Sequence, residues 1–80
     1  MGKLKVLSDL KARDKGKVKQ ITGQGQLKKK LLDMGVIPGN EFEVLRVAPL
    51  GDPVEVRIKG YNLSLRKEEA RQISVEALEA

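Results

Sequence analysis

The chain has 80 residues, 40% of them hydrophobic and 34% charged, with sixteen Lys and Arg against eleven Asp and Glu for a formal net charge of +5. That length accommodates one small domain, and no apolar run approaches the roughly 20 residues needed to span a bilayer as a helix. Cysteine and histidine are both absent, which excludes disulfides, thiol chemistry, Cys/His zinc sites and imidazole bases, so packing alone must hold the fold.

The first segment, Met1-Gly2-Lys3-Leu4-Lys5-Val6-Leu7, lacks the continuous apolar stretch of a signal peptide, and Val6 stands where a myristoylation motif takes Ser or Thr. Leu4, Val6, Leu7 and Leu10 make an apolar entry, with Ser8-Asp9 placed to cap a short helical turn. Asp14-Lys15-Gly16 signals a turn. Lys17 to Thr22 reads as a strand in which Val18 and Ile21 fall out of phase, so a bulge is expected. Gly23-Gln24-Gly25 breaks the strand before a helix on which Leu27, Leu31 and Met34 recur at helical spacing, widened by Leu32. Gly35 stands where a left-handed helix terminus favours a residue without Cβ, and Ile37-Pro38-Gly39 fits a type II turn.

The second half alternates strands and turns. Glu41 to Val47 has strand propensity, Pro49 to Pro53 is a dense turn, and Val54, Val56 and Ile58 alternate toward a core. Gly60-Tyr61-Asn62 reads as a turn, Leu63 to Arg66 as a strand and Lys67 to Arg71 as one helical turn, and Ile73 and Val75 share a face of a closing strand. The expectation is a mostly β fold: a small barrel of about five strands, with one helix between the first and second and a short helical turn before the last.

Charge is unevenly placed. Residues 1–30 carry ten basic and two acidic groups, a net of +8, and residues 31–80 carry six basic and nine acidic, a net of −3. A basic end draws an acidic partner. Lys28-Lys29-Lys30 has two readings, a patch that steers the domain onto such a partner or a solvated helix face. Leu27 at the helix start and Leu50 at a turn tip are the apolar residues expected to be exposed, and Leu50 is a candidate anchor. Gly23-Gln24-Gly25 lacks the rest of any phosphate-binding fingerprint and reads as a glycine turn. Asp33, Asp52, Glu68 and Glu69 are read as surface carboxylates; without His or Cys a ferrous site would be all oxygen, a donor set better suited to magnesium or calcium. No nucleophile has an evident base, so no catalysis is expected.

Several elements occur in an order that resembles the FeoA family. They are Leu31-Leu32-Asp33-Met34-Gly35-Val36-Ile37-Pro38-Gly39, Val44, Ala48-Pro49-Leu50-Gly51-Asp52-Pro53, Val54-Glu55-Val56, Leu63-Ser64-Leu65-Arg66, and Glu69-Ala70 with Ile73 and Val75. The resemblance runs from Leu7-Ser8-Asp9-Leu10 to Val75 and implies one SH3-like domain over residues 1–80, with its core at about 7–76. It implies a small cytoplasmic, non-catalytic component of ferrous iron uptake that works beside FeoB, the membrane transporter with a cytosolic GTPase domain. No cofactor and no tight ferrous or zinc site are expected, the family resemblance implying at most weak transition-metal binding, and Leu27, Lys28, Lys29, Lys30 and Leu50 are the candidate contacts with FeoB. The alternative is a small basic nucleic-acid-binding barrel. One Phe and one Tyr give it no platform for stacking bases, and they equally leave no aromatic groove for proline-rich peptides.

Overall fold

A computed structural model describes residues 3–23 and 25–78, so Met1, Gly2, Gln24, Glu79 and Ala80 lie outside the described residues. Six strands form one antiparallel sheet: β1 (Lys3–Val6), β2 (Lys15–Ile21), β3 (Glu41–Val47), β4 (Val54–Ile58), β5 (Tyr61–Leu65) and β6 (Ile73–Leu78). Their order across the sheet is β1-β6-β2-β3-β4-β5. Two helices interrupt them, α1 (Gln26–Asp33) and α2 (Lys67–Ala70).

Two differences from the sequence reading lie at the start of the chain. The apolar entry is a strand, because Lys3 to Val6 pair with Ala77 to Ser74 of β6. That makes six strands rather than five and puts α1 between the second and third. The turn at Leu7–Asp9 is a 3-10 turn that begins after Val6 with no side-chain cap. Ser8 and Asp9 lie within it rather than capping it, and the Leu10 N–H closes it on the Leu7 carbonyl at 3.1 Å.

The out-of-phase pair on β2 does mark a bulge. Val18 pairs with Val75 and Gln20 with Ser74, so Lys19 is the extra residue and Ile21 returns to the core face. Leu45 plays the same part on β3, between the Val44–Val56 and Arg46–Glu55 pairs. The core joins Val18, Ile21, Leu31, Phe42, Val44, Val54, Val56, Ile58, Leu65, Ile73 and Val75, and Leu27, Leu32 and Met34 pack against it. The apolar stripe of α1 is therefore its docking face.

Local chemistry ends α1 as the sequence predicts. Gly35 has φ +98°, and the helix closes through Gly35 N–H to Leu32 O at 3.0 Å and Val36 N–H to Leu31 O at 2.9 Å. Those paired bonds satisfy orphan carbonyls and bring buried Val36 over buried Leu31. The type II turn follows, with Gly39 at φ +98° and Asn40 N–H donating to Ile37 O at 3.0 Å. Ile58 pairs with Tyr61, so Tyr61 already belongs to β5 and the hairpin turn is Lys59-Gly60, both at positive φ.

Gly16 answers to a different constraint. A Cβ there would lie 2.7 Å from Phe42 Cζ and 2.7 Å from the Glu76 carbonyl oxygen. The single phenylalanine of the chain covers the space a side chain would need, so only glycine allows β2, β3 and β6 to close on each other at this point.

Candidate interaction surface

The candidate contact residues occupy different environments. Leu27 is half-buried, packed against the core and over Gly23, whose Cβ position would be 3.1 Å from Leu27 Cδ2. The expectation that it is exposed therefore fails, since its turn of helix is the one that docks α1. Lys28 and Lys29 are exposed. Leu50 is 88% exposed, at the tip of a turn closed by Gly51 N–H to Ala48 O at 2.7 Å.

Lys30 differs from its two neighbours. Its Nζ lies 2.7 Å from Glu69 Oε2, joining α1 to α2. The other oxygen of Glu69 accepts the Arg66 backbone N–H at 2.8 Å, at the start of α2. Hydrogen bonding from Lys30, followed by the Arg66 N–H, holds the Glu69 carboxyl below its ordinary range and outweighs the opposing effect of burial. Asp52, from the Leu50 turn, accepts the Lys67 N–H through Oδ1 at 3.1 Å. Two carboxylates, Asp52 from the Leu50 turn and Glu69 from the helix itself, thus satisfy free N–H groups at the start of this four-residue helix.

These contacts shape a polar notch of about 510 Å³ between α1, α2 and the Leu50 turn, lined by Lys30, Asp52, Pro53, Ser64, Arg66 and Glu69. Lys67 extends along Gly51, whose Cβ position would be 3.9 Å from the ammonium. Of the carboxylates weighed as cation ligands, Asp52 and Glu69 meet in this notch but are engaged by backbone N–H groups. Glu68 is exposed and Asp33 lines a different groove. Among the described residues no group of three or more His, Cys, Asp or Glu converges.

Sequence reasoning missed a second surface. Met34, Ile37, Tyr61 and Leu63 flank an apolar groove of about 580 Å³ between the end of α1 and the β4–β5 hairpin. Tyr61 is 69% and Ile37 45% exposed. In the sequence both belong to turn signals, and only the topology brings their distant segments together.

The basic stripe of the first 30 residues is divided by acids. Lys15 pairs with Glu43 of β3, and Lys17 with Glu41 on one side and Glu76 of β6 on the other. Lys19 Nζ lies 3.2 Å from Glu76 Oε1. The surplus charge on β2 is dispersed along the sheet rather than collected into a groove.

The FeoA domain model matches residues 5–77. The chain belongs to the FeoA family. A Porphyromonas gingivalis protein, an Fe(2+) transport protein A/Fe(2+) transporter FeoB fusion, is 42% identical over 72 residues. That match takes in 90% of this chain but only 8% of the fusion protein's length. The NMR structure of an FeoA-like protein from Clostridium acetobutylicum superposes with a TM-score of 0.89 at 40% identity, covering 100% of this chain and 93% of that one. The zinc complex of Stenotrophomonas maltophilia FeoA, described as a prokaryotic SH3 domain protein, has a TM-score of 0.78 at 23% identity and covers 89% and 88% of the two chains. At that identity the likeness bears on the fold alone, and the fold is SH3-like. In this FeoA chain the sheet stays open, with β1 and β5 at its two edges.

Proposed function

We propose that the chain is a non-catalytic interaction module that acts in ferrous iron transport by binding the cytosolic side of FeoB, its 80 residues working as one SH3-like unit in the cytoplasm. The observation that carries this reading is the Porphyromonas gingivalis fusion, in which a domain 42% identical to this chain shares one polypeptide with an FeoB transporter. A covalent tether turns a weak contact into an intramolecular one at high effective concentration, so a separate domain and a fused one can serve the same encounter. Exposed Leu50 and the solvated Lys28 and Lys29 supply the kinds of group such an encounter uses: an apolar anchor and charges that raise the rate of association.

The nucleic-acid reading loses ground on the same surface. Its lysines alternate with Glu41, Glu43 and Glu76, and of the two aromatic residues one, Phe42, is buried in the core. Single-strand binders need successive aromatics along a basic groove.

The test is transport. Uptake of radiolabelled ferrous iron is measured in the native host after deletion of this chain and after its return on a plasmid. The proposal predicts a loss on deletion, in cells with unchanged FeoB abundance, that the plasmid restores. Equal uptake with and without the chain would remove its functional half.

A further inference from the structure

The notch beside Leu50 has a lopsided supply of hydrogen-bonding groups. Both oxygens of Glu69 are engaged, by Lys30 and by the Arg66 N–H, and Asp52 has one oxygen committed to the Lys67 N–H. Among the described residues the Arg66 guanidinium, although its charge bears on Glu69, makes no side-chain hydrogen bond, the Ser64 hydroxyl makes none, and Lys30 has donors left after Glu69. Those unspent donors line one cavity with the fork of an arginine, the geometry that suits a carboxylate. Leu50 stands 88% exposed two residues before Asp52, and Lys67 lies along Gly51 between them.

We propose that this notch receives a Glu or Asp side chain from an acidic partner segment, held by Arg66, Ser64 and Lys30, while a neighbouring apolar residue of that segment packs on Leu50. The inference deepens the FeoB reading and rests on it only for the partner's identity; the chemistry of the notch stands on this chain alone. It also divides the work among the lysines. Lys30 belongs to the receptor site, and Lys28 and Lys29 act at long range.

The experiment uses the full chain, labelled with nitrogen-15, and a capped peptide of alternating Glu and Leu, with the matching Gln-Leu peptide as control. The Glu peptide is expected to shift the Gly51, Ser64 and Arg66 resonances, the Arg66 side-chain N–H included, and the Gln peptide to leave them in place. Arg66→Gln should weaken binding at least about tenfold, the scale of one lost charge-assisted contact. Leu50→Ala should weaken it several-fold, and Lys28→Gln with Lys29→Gln by less than Arg66→Gln. Arg66→Lys, which keeps the charge and loses the fork, should fall between wild type and Arg66→Gln.

Shifts that map elsewhere, an equal loss in the Lys28/Lys29 variant, or displacement of the peptide by an equal concentration of inorganic phosphate would overturn the assignment. Purified FeoB is titrated in parallel. If FeoB binds wild type and Arg66→Gln equally, the notch is not the contact and only the FeoB reading survives. If FeoB binds neither while the peptide behaves as expected, the FeoB reading fails and the acidic-segment site remains.

Discussion

Glu69 is the residue on which the link between the two helices depends, and Glu69→Ala removes both of its hydrogen bonds. Losing the acceptor for the Arg66 N–H resembles losing a helix cap, about 1 kcal/mol. The bond to Lys30 is charge-assisted, but the Lys30 side chain is 60% exposed and water takes over its ammonium, so that contribution is held to about 1 kcal/mol or less. The expected total is about 2 kcal/mol, which for a domain of this size lowers the melting temperature by roughly 8–16 °C. Glu69→Gln keeps an oxygen for the Arg66 N–H and should lose only about half as much.

The pH dependence has a definite sign. The folded-state pKa of Glu69 is lowered, so its contribution is full above the unfolded value of about 4.3 and is lost as the pH falls through the folded value. Urea denaturation of wild type and Glu69→Gln at pH 7 and again near pH 3 reads this directly: the gap between them should be present at pH 7 and shrink in acid. A gap that is unchanged at pH 3, or a loss below about 0.5 kcal/mol for Glu69→Ala, would refute the reasoning.

Gly16→Ala should destabilise by about 1–3 kcal/mol or leave the chain unfolded, because its Cβ enters the space of Phe42 and the Glu76 carbonyl; a melt within about 0.5 kcal/mol of wild type would contradict that packing. Leu31→Ala should cost about 2–5 kcal/mol at a fully buried site, and Leu50→Ala under about 0.5 kcal/mol at an exposed one, as read from denaturant midpoints. Replacing Lys28 and Lys29 by Gln should leave the melt unchanged and slow association with FeoB mainly at low salt, since the screening length near 0.15 M is only about 8 Å. Anaerobic titration with ferrous iron should find no stoichiometric site of micromolar affinity or better, because oxygen donors alone hold a borderline metal poorly.

What the sequence disclosed follows periodicity and turn chemistry. The stripe of α1, the faultless alternation of Val54, Val56 and Ile58, the bulge between Val18 and Ile21, and the Gly35 and Gly39 positions are all short-range signals, and each has its structural counterpart. The first strand was hidden because Lys3 to Val6 owe their conformation to Ser74 to Ala77, more than 65 residues away. Its own alternation is too short to separate a strand from an apolar entry segment. The exposure of Leu50 was legible from its turn. The environments of Leu27 and Lys30 were not, since they depend on Gly23 packing and on Glu69, 39 residues downstream of Lys30. The notch and the apolar groove are products of topology: no window of sequence holds Lys30 beside Arg66, or Ile37 beside Tyr61.

The central claim, that this FeoA chain is a binding partner of FeoB, is tested most directly by calorimetric titration of the purified chain into full-length FeoB in detergent, with the isolated GTPase domain titrated alongside. Saturable binding with one chain per transporter, weakened by Arg66→Gln and by Leu50→Ala at unchanged fold stability, is the predicted result. No heat and no co-migration at the highest attainable concentrations, with FeoB still active in GTP hydrolysis, would contradict it.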